Sequence, residues 1–542
     1  MALTSEQLID AALRQQLVSP ERLQALRLEA RKKRQDLLEM LCVTLRLPLS
    51  SLHRAAASVR GLSYFEFGQL QTVDEAIWAQ LPQAVVRRKA VLVVRWQGQG
   101  YLVSSDPDDR AGLDALRRMV SEPLSLAYAE EPAIRMAMAR VAGPNGNGLQ
   151  EATAALGVDL VQMLDRIFTE AYLRRSSDIH IMQDDYGLRI RMRVDGLLQD
   201  YIAEGSTQPQ VANGLISRIK VLANLDIAEQ REPQDGGMSY TLGPPIDSQF
   251  NVRVATAPTR TGERITMRIL GQDAKDLTLE NIGMSAEDLA HFRSAIRKPF
   301  GMILLTGPTG SGKSTTLFAA LREINAPSIN IMTVENPIEY VIDGVSQIQT
   351  GAKISFASAL RSLLRHDPDV MMVGEIRDEE TADTALKAAM TGHLVFSTLH
   401  TNTAAGTITR LADIGCEPYL IGSTMNAVIA QRLVRRLCQC KQRTEVDAAA
   451  AQWMEVAEGT PIYRPVGCAL CQGTGYRGRL GLFETLWFDD ALAKLVMQGA
   501  GEEALEQAAG ERLRPMWRDG VSKVLSGITT LDEVMKVALK RG

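Results

Sequence analysis

Along the first 60 residues the hydrophobic positions return at helical spacing. Leu8, Ile9, Leu13 and Leu17 form one stripe, Ser19-Pro20 interrupts it, and Leu23, Leu26, Leu28, Leu37, Leu38 and Leu41 continue it. The pattern predicts a helical segment over 1–60. Its basic run RKKRQ (Arg31–Gln35) reads as a solvated helix face rather than an anionic-surface patch. From 61 to 142 the period changes to mixed α/β. AVLVVRWQGQGYLVSSDP reads as two strands around a Gly-rich turn, followed by the helical GLDALRRMV. Gly, Pro and Asn then concentrate in AGPNGNGLQEA, which sets a linker at 143–152.

Residues 153–272 form a further α/β unit. A helix over Val158–Arg174 leads to alternating strands in DIHIMQ and LRIRMRVDGLLQDYI. A second helix, ISRIKVLAN, and a strand pair around NVRVATAP and ERITMRIL complete it. Residues 273–430 alternate strands and helices as a nucleotide-binding α/β domain does. Residues 431–485 carry a group of cysteines, and 486–542 read as mostly helical. No solenoid-type repeat is visible.

Composition narrows the classes. A chain of 542 residues is too long for one core, and its 45% hydrophobic and 23% charged content is that of an ordinary globular protein. A net charge of −4, from 60 basic and 64 acidic residues, argues against a dedicated nucleic-acid binder. No apolar run approaches the roughly 18 residues needed to cross a bilayer. The N-terminal MALTSEQLIDAALRQQL is polar where a signal peptide is apolar. The expectation is therefore a cytoplasmic chain that reaches a membrane only through partners. Of six cysteines, Cys438, Cys440, Cys468 and Cys471 cluster, and a clustered four in such a chain reads as metal before disulfide. Cys42 and Cys416 stand alone and read as small buried hydrophobes.

The most explicit chemistry lies in LLTGPTGSGKSTT. A buried-strand run enters a glycine-rich turn in which Gly307, Pro308, Thr309, Gly310, Ser311 and Gly312 precede Lys313, Ser314 and Thr315. Backbone N–H groups of such a turn converge on phosphate oxygens, and the following helix adds its dipole. Lys313 supplies a cation at the β/γ-phosphates and Ser314 a hydroxyl for Mg²⁺. The strand of DVMMVGEIRD ends in Glu375, a candidate carboxylate for the metal's water shell or for attacking water. NIMTVENPIEYV ends in Glu335 and Glu339, either of which could activate water or bind Mg²⁺. His393 and His400 flank the strand LVFST and are candidate sensors of hydrolysis.

In this order, the cradle, TVENPIEY, VGEIRD and TGHLVFSTLHTN resemble the Walker A, Asp box, Walker B and His box of the secretion ATPase superfamily. SDIHI, RIRMRVDGLL, RIKVLANLDIAEQREPQDG and RVATAPTRTGERITMRIL resemble its second N-terminal domain; AQRLVRRLC and VGCALCQGTGYRGRLGLFE resemble its cysteine module. The resemblance spans roughly 60–540, and the branch is the GspE/PilB group of type II secretion and type IV pilus assembly ATPases.

This resemblance implies a multidomain α/β chain. A RecA-like P-loop core would follow an α+β (PAS-like) N-terminal domain, with further α-rich modules at both ends. It implies a homohexamer that uses ATP and Mg²⁺ and works on an inner-membrane platform protein. It implies Arg253 and Arg268 as arginines reaching the phosphates from the second N-terminal domain. Arg191 and Arg193, alternating on a strand, fit domain or subunit contacts better. The C-x-C and C-x-x-C pairs suit a structural Zn²⁺, although the family usually has C-x-x-C twice.

Two other departures stand out. Asn336 replaces the usual Asp of Glu-Asp-Pro, which removes a charge but leaves Glu339 as the expected base. Gly237 in QDGG replaces an Arg. Residues 1–60 lack the Arg-Leu-Gly motifs of second-messenger-binding relatives, and a docking segment for a membrane-platform partner is expected there instead. A DNA-translocating ATPase and an ATP-binding regulatory subunit with weakened hydrolysis are the alternatives.

Overall fold

The computed structural model describes residues 3–142, 159–203, 209–271, 278–351, 353–538 and 540. The linker expected at 143–152 lies outside these. The chain divides into two compact units, Met1–Gln272 with Gly467–Thr474, and Asp273–Val466 with Gly475–Gly542. Among the described residues no helix is long and apolar enough to cross a membrane.

The first unit opens with α1 (Ser5–Arg14), α2 (Pro20–Lys33), α3 (Leu37–Leu45) and α4 (Leu49–Val59). Thr4, Ser19 and Asp36 cap the first three by accepting backbone N–H bonds, which satisfies donors that a helix start leaves open. Their apolar stripes meet in a core of Leu8, Leu23, Leu26, Leu41 and Leu52, where Cys42 is also buried. Burial pushes the Cys42 thiol up to about 12, so it behaves as a small apolar group.

A four-stranded sheet follows, in the order β1 (Ser63–Tyr64), β4 (Ser125–Tyr128), β3 (Gln99–Ser104), β2 (Val91–Trp96). The expected strand pair is β2 and β3, closed by a tight turn in which Gln97 and Gly98 both take positive φ.

After the helix Leu160–Arg174, a six-stranded antiparallel sheet runs β7 (Leu197–Tyr201), β6 (Gly187–Val194), β5 (Asp178–Asp184), β10 (Gly262–Leu270), β9 (Ser248–Thr259), β8 (Gln234–Leu242). One face packs Ile179, Ile181, Ile190, Met192, Val252, Val254, Ile265 and Met267 against two helices. The other carries arginines, the alternation expected of a sheet wetted on one side. No alternation in the sequence marks strand β8, because Gly236-Gly237 and its polar neighbours interrupt it. Lys220 is buried beneath this sheet, where it donates to Glu263 at 2.8 Å and to the Glu229 carbonyl at 2.6 Å.

The second unit is built on an eight-stranded sheet. Its order is β13 (Ser346–Gln349), β12 (Ile331–Glu335), β14 (Val370–Val373), β15 (Leu394–Leu399), β11 (Gly301–Thr306), β16 (Met425–Leu437), β19 (Tyr476–Trp487), β20 (Leu513–Arg514). The first six are parallel, and the last two join antiparallel. Strand β11 is buried at every position, as a central strand covered on both faces must be. One face of the sheet packs Ile303 and Leu305 against Phe318 and Leu321; the other packs Leu304 with Val373, Leu386 and Val395. Cys416 lies in the second of these cores, its thiol pushed up to about 11 by burial.

The position 430/431, expected as a domain boundary, falls inside β16, and 485/486 falls inside β19. The cysteine-bearing segment is thus an excursion between two strands of the nucleotide-binding sheet. It includes a small hairpin of β17 (Gln442–Glu445) and β18 (Pro461–Arg464). A buried ion pair, Lys523 with Asp519, anchors the C-terminal helices on β19: Asp519 accepts from Phe483 N–H at 2.9 Å and Lys523 donates to the Gly481 carbonyl at 2.8 Å.

Candidate nucleotide-binding site

The C-terminal ends of parallel strands are where an open α/β sheet leaves a crevice for ligands. Strand β11 ends there at Thr306, and the turn Gly307–Gly312 leads into the helix Lys313–Ile324. The helix has no side-chain cap at Gly312, so its first N–H groups remain to face a ligand. Gly307 (φ 145°) and Gly312 (φ 89°) cannot be replaced without strain. A Cβ on the first would stand 2.5 Å from the Gln431 carbonyl oxygen, and one on the second 2.8 Å from Gln431 Nε2. Pro308, Thr309 and Gly310 form the exposed rim, Ser311 is buried with an unpartnered hydroxyl, and Ser314 and Thr315 are half-buried at the helix start.

Lys313 is buried and folds back on the turn, donating to the carbonyls of Gly307 at 2.7 Å and Pro308 at 3.2 Å. Burial first, and then the Arg432 guanidinium, push its pKa down to about 8; the carboxylates of Glu375 and Glu339 act against this. A buried ammonium held only by carbonyl oxygens is short of negative charge, which phosphate oxygens would supply.

The carboxylates divide by environment. Glu335 ends β12 and is buried, accepting from Thr333 Oγ1 at 2.5 Å and Gln347 Nε2 at 2.9 Å. These bonds hold it in place away from water, and burial raises its pKa. Glu339 is half-buried, four residues farther on the same loop, and Asn336 is exposed. Glu375 follows β14, with one oxygen 2.7 Å from Arg377 and the other 3.5 Å from His400 Nε2. Strand β15 separates β14 from β11, and His400 follows β15. Glu375, His400 and the cradle thus stand in a row along one edge of the sheet. The next residue, Thr401, fastens that row: its N–H donates to Thr306 Oγ1 at 2.8 Å, and the two hydroxyls are 2.7 Å apart.

The two histidines do not share this edge. His393 precedes β15; its carbonyl accepts from Gly301 N–H at the start of β11, and its ring Nδ1 lies 3.0 Å from the Ala388 carbonyl. Seven residues of strand put it roughly 20 Å from His400. The reason is strand direction: residues flanking a strand in sequence lie at opposite edges of the sheet.

In the first unit, Arg253 and Arg268 are direct cross-strand partners. The same row across the sheet reads Gly237, Arg253, Arg268, Asp178, Arg193. Asp178 is buried and draws Arg268 Nε to 2.9 Å and Arg193 to 3.6 Å, while Arg253 is 3.7 Å from Asp235. Gly237 stands beside Arg253 in this row.

Cys438, Cys440, Cys468 and Cys471 converge, all four sulfurs within 4.8 Å of one another and Cys468 Sγ 3.8 Å from Cys471 Sγ. Tetrahedral zinc with sulfurs at about 2.3 Å needs them roughly 3.8 Å apart, so the donor set fits Zn²⁺. The shorter C-x-C spacing does not prevent convergence.

Two residues of the site went unnoticed in the sequence, Gln431 and Arg432 on β16. Their signal was a polar pair inside the apolar strand VIAQRLV. Gln431 is buried and accepts from Thr316 Oγ1 at 2.9 Å, in the first turn after the cradle.

Residues 156–536 match the family described as type II/IV secretion system protein. The chain belongs to that family. Residues 60–147 match the MshEN domain, which covers the four-stranded α/β region. The chain is 48% identical over 383 residues to the type II secretion system ATPase E of Vibrio cholerae, covering 70% of this chain and 75% of that protein. It is 39% identical over 487 residues to the type II secretion system protein E of Pseudomonas aeruginosa, covering 84% and 96%. The X-ray structure of the Legionella pneumophila ATPase DotB superposes with a TM-score of 0.53 at 23% identity, over 71% of this chain and 97% of that one, which shows the shared fold. Family membership places the chain in the GspE/PilB group of secretion ATPases.

Lys313 yields a pH prediction. Its pKa near 8 must rise when phosphate oxygens surround it, so above pH 8 nucleotide binding takes up a proton and weakens as pH rises. Calorimetric titration at pH 8.5, in two buffers of different ionisation heat, should report uptake of a sizeable fraction of a proton and up to about tenfold weaker binding per pH unit. Absence of uptake would contradict this account of Lys313.

Proposed function

We propose that this chain is the hexameric motor of a type II secretion system, hydrolysing ATP on the cytoplasmic face of the inner membrane. The observation that carries this reading is the alignment of Glu375, His400 and the Lys313 cradle along one sheet edge, with Glu339 on the neighbouring loop. Gly307, Pro308, Thr309, Gly310, Ser311, Gly312, Lys313, Ser314 and Thr315 would bind the ATP phosphates, and Ser314 would hold Mg²⁺. Mg²⁺ would neutralise charge on the transferred phosphoryl group. Glu339, accessible where Glu335 is not, would take the proton from attacking water. Glu335 would fix the loop, Glu375 would orient the metal's waters, and His400 would register the state of the phosphate. His393 would act only from the far edge of the sheet.

Arg253 and Arg268 would supply cations from the N-terminal unit in the closed state, so that closure and hydrolysis become one event. The relatives named for type II secretion support that client over a type IV pilus. A homohexamer pushing on an inner-membrane platform protein is the assembly this reading requires. The four cysteines would hold a structural Zn²⁺. Retention of Glu335, Glu339 and Glu375 favours hydrolysis over the reading of a decayed regulatory subunit. The net charge of −4 favours a protein client over DNA.

In a steady-state assay on the assembled protein, Lys313→Ala and Glu339→Gln should each lower ATP turnover by roughly 100-fold or more. Glu339→Gln should still bind nucleotide. Undiminished hydrolysis in either would overturn the assignment, and stimulation by DNA would favour the translocase. Metal analysis of the purified chain should find about one zinc per chain, lost in Cys468→Ser/Cys471→Ser; a metal-free chain would refute the zinc site.

A further inference from the structure

We propose that Arg432 is a further phosphate-binding residue, one that contacts the terminal phosphate of the bound triphosphate and links it to β16. This rests on the reading of Gly307–Thr315 as a triphosphate cradle, and is independent of which secretion client the motor serves.

The guanidinium lies against the first glycine of the cradle. A Cβ built on Gly307 would stand 3.0 Å from its Nη1. Nη1 donates to the carbonyl of Gln431 at 3.0 Å, and Nη2 donates to Asn402 Oδ1 at 3.0 Å. Asn402 is two residues past His400, whose ring faces Glu375. Arg432 therefore sits between the cradle and the loop that flanks the carboxylates, the side from which a terminal phosphate would be addressed.

Its charge is uncompensated. Lys220 is paired with Glu263, Lys523 with Asp519 and Arg174 with Glu170, whereas Lys313, the cradle's own lysine, has no carboxylate within 4 Å among the described residues. Half-buried Arg432 makes no ion pair within 4 Å among the described residues. Glu484, which favours its charge from farther away, instead accepts the N–H of Ala404 at 2.8 Å. Removing a cation from water without a partner is costly, and a bound anion would offset that cost. A guanidinium carries five N–H groups; Nη2 also reaches the Asn402 carbonyl at 3.4 Å, and the Nε–H and one Nη1–H have no acceptor among the described residues, so they remain for phosphate oxygens.

The position also explains a mechanical link. Gln431, beside Arg432, takes the Thr316 hydroxyl of the helix after the cradle, and Arg435, three residues on, is paired with Glu533 at 2.7 Å. A phosphate that draws on Arg432 thus pulls on the strand that carries both contacts and leads to Cys438.

The test compares a non-hydrolysable ATP analogue with ADP on the purified full chain. Arg432→Gln should weaken the analogue at least about tenfold and ADP less than about threefold, and Arg432→Lys, which keeps the charge but loses the spread of guanidinium donors, should fall between. Equal weakening of both nucleotides, or none, would overturn the proposal. Unfolding temperatures identify a variant that has lost its fold; should Arg432→Gln be one, the analogue-to-ADP ratio of Arg432→Lys decides in the same way. Lys313→Ala serves as the reference: if it too leaves both affinities unchanged, the cradle reading itself has failed, and not only the role of Arg432.

Discussion

The ammonium of Lys313, buried and resting on the carbonyls of its own turn, is the constraint around which the second unit is organised. A cation in that position needs a rigid pocket, and the sheet provides one. Strand β11 is central and buried on both faces, so the turn it delivers cannot drift. The neighbour on one side, β15, supplies Thr401 to lock Thr306, and the neighbour on the other, β16, supplies Gln431 to lock Thr316. The helix start, the turn and two adjacent loops are thereby fixed before any ligand arrives. What remains unsatisfied is charge: Lys313 and Arg432 lie near each other without a paired carboxylate, so an anion completes the site.

The same economy governs the six-stranded sheet of the first unit. Like charges directly opposite on neighbouring strands repel, yet Arg253 and Arg268 are paired in that way. Asp178 restrains one and Asp235 stands near the other, which leaves both side chains oriented yet more than half exposed. Glycine at 237, beside Arg253, takes one potential cation out of this row and relieves part of the repulsion. The arginines are thus kept oriented at the surface rather than absorbed into the fold.

What the sequence made legible follows from range. The cradle, its strand and its helix are contiguous, so their chemistry could be read directly from GPTGSGKST. Glu335 was legible because it ends an apolar strand, Glu375 because it closely follows one, and Glu339 because it shares the loop after Glu335. His393 and His400 looked equivalent in sequence, and only the direction of β15 separates them. Gln431 and Arg432 escaped because their contacts are to residues far away in sequence: Thr316 is 115 positions from Gln431. The domain edges at 430 and 485 misplaced the cysteine segment for a related reason. Strands β16 and β19 add to the nucleotide-binding sheet, and pairing across such a gap leaves no local mark. The convergence of Cys438, Cys440, Cys468 and Cys471 was legible as a set, although the C-x-C spacing left its geometry open.

The central claim is that the cradle is preformed and waits only for negative charge. A structure of the chain with Mg²⁺ and a non-hydrolysable ATP analogue tests it most directly. The account predicts that Lys313 Nζ leaves the Gly307 and Pro308 carbonyls for phosphate oxygens, while β11, Thr306–Thr401 and Thr316–Gln431 stay as they are. A nucleotide bound with Lys313 still on its own carbonyls, or a turn rebuilt to receive it, would contradict the account.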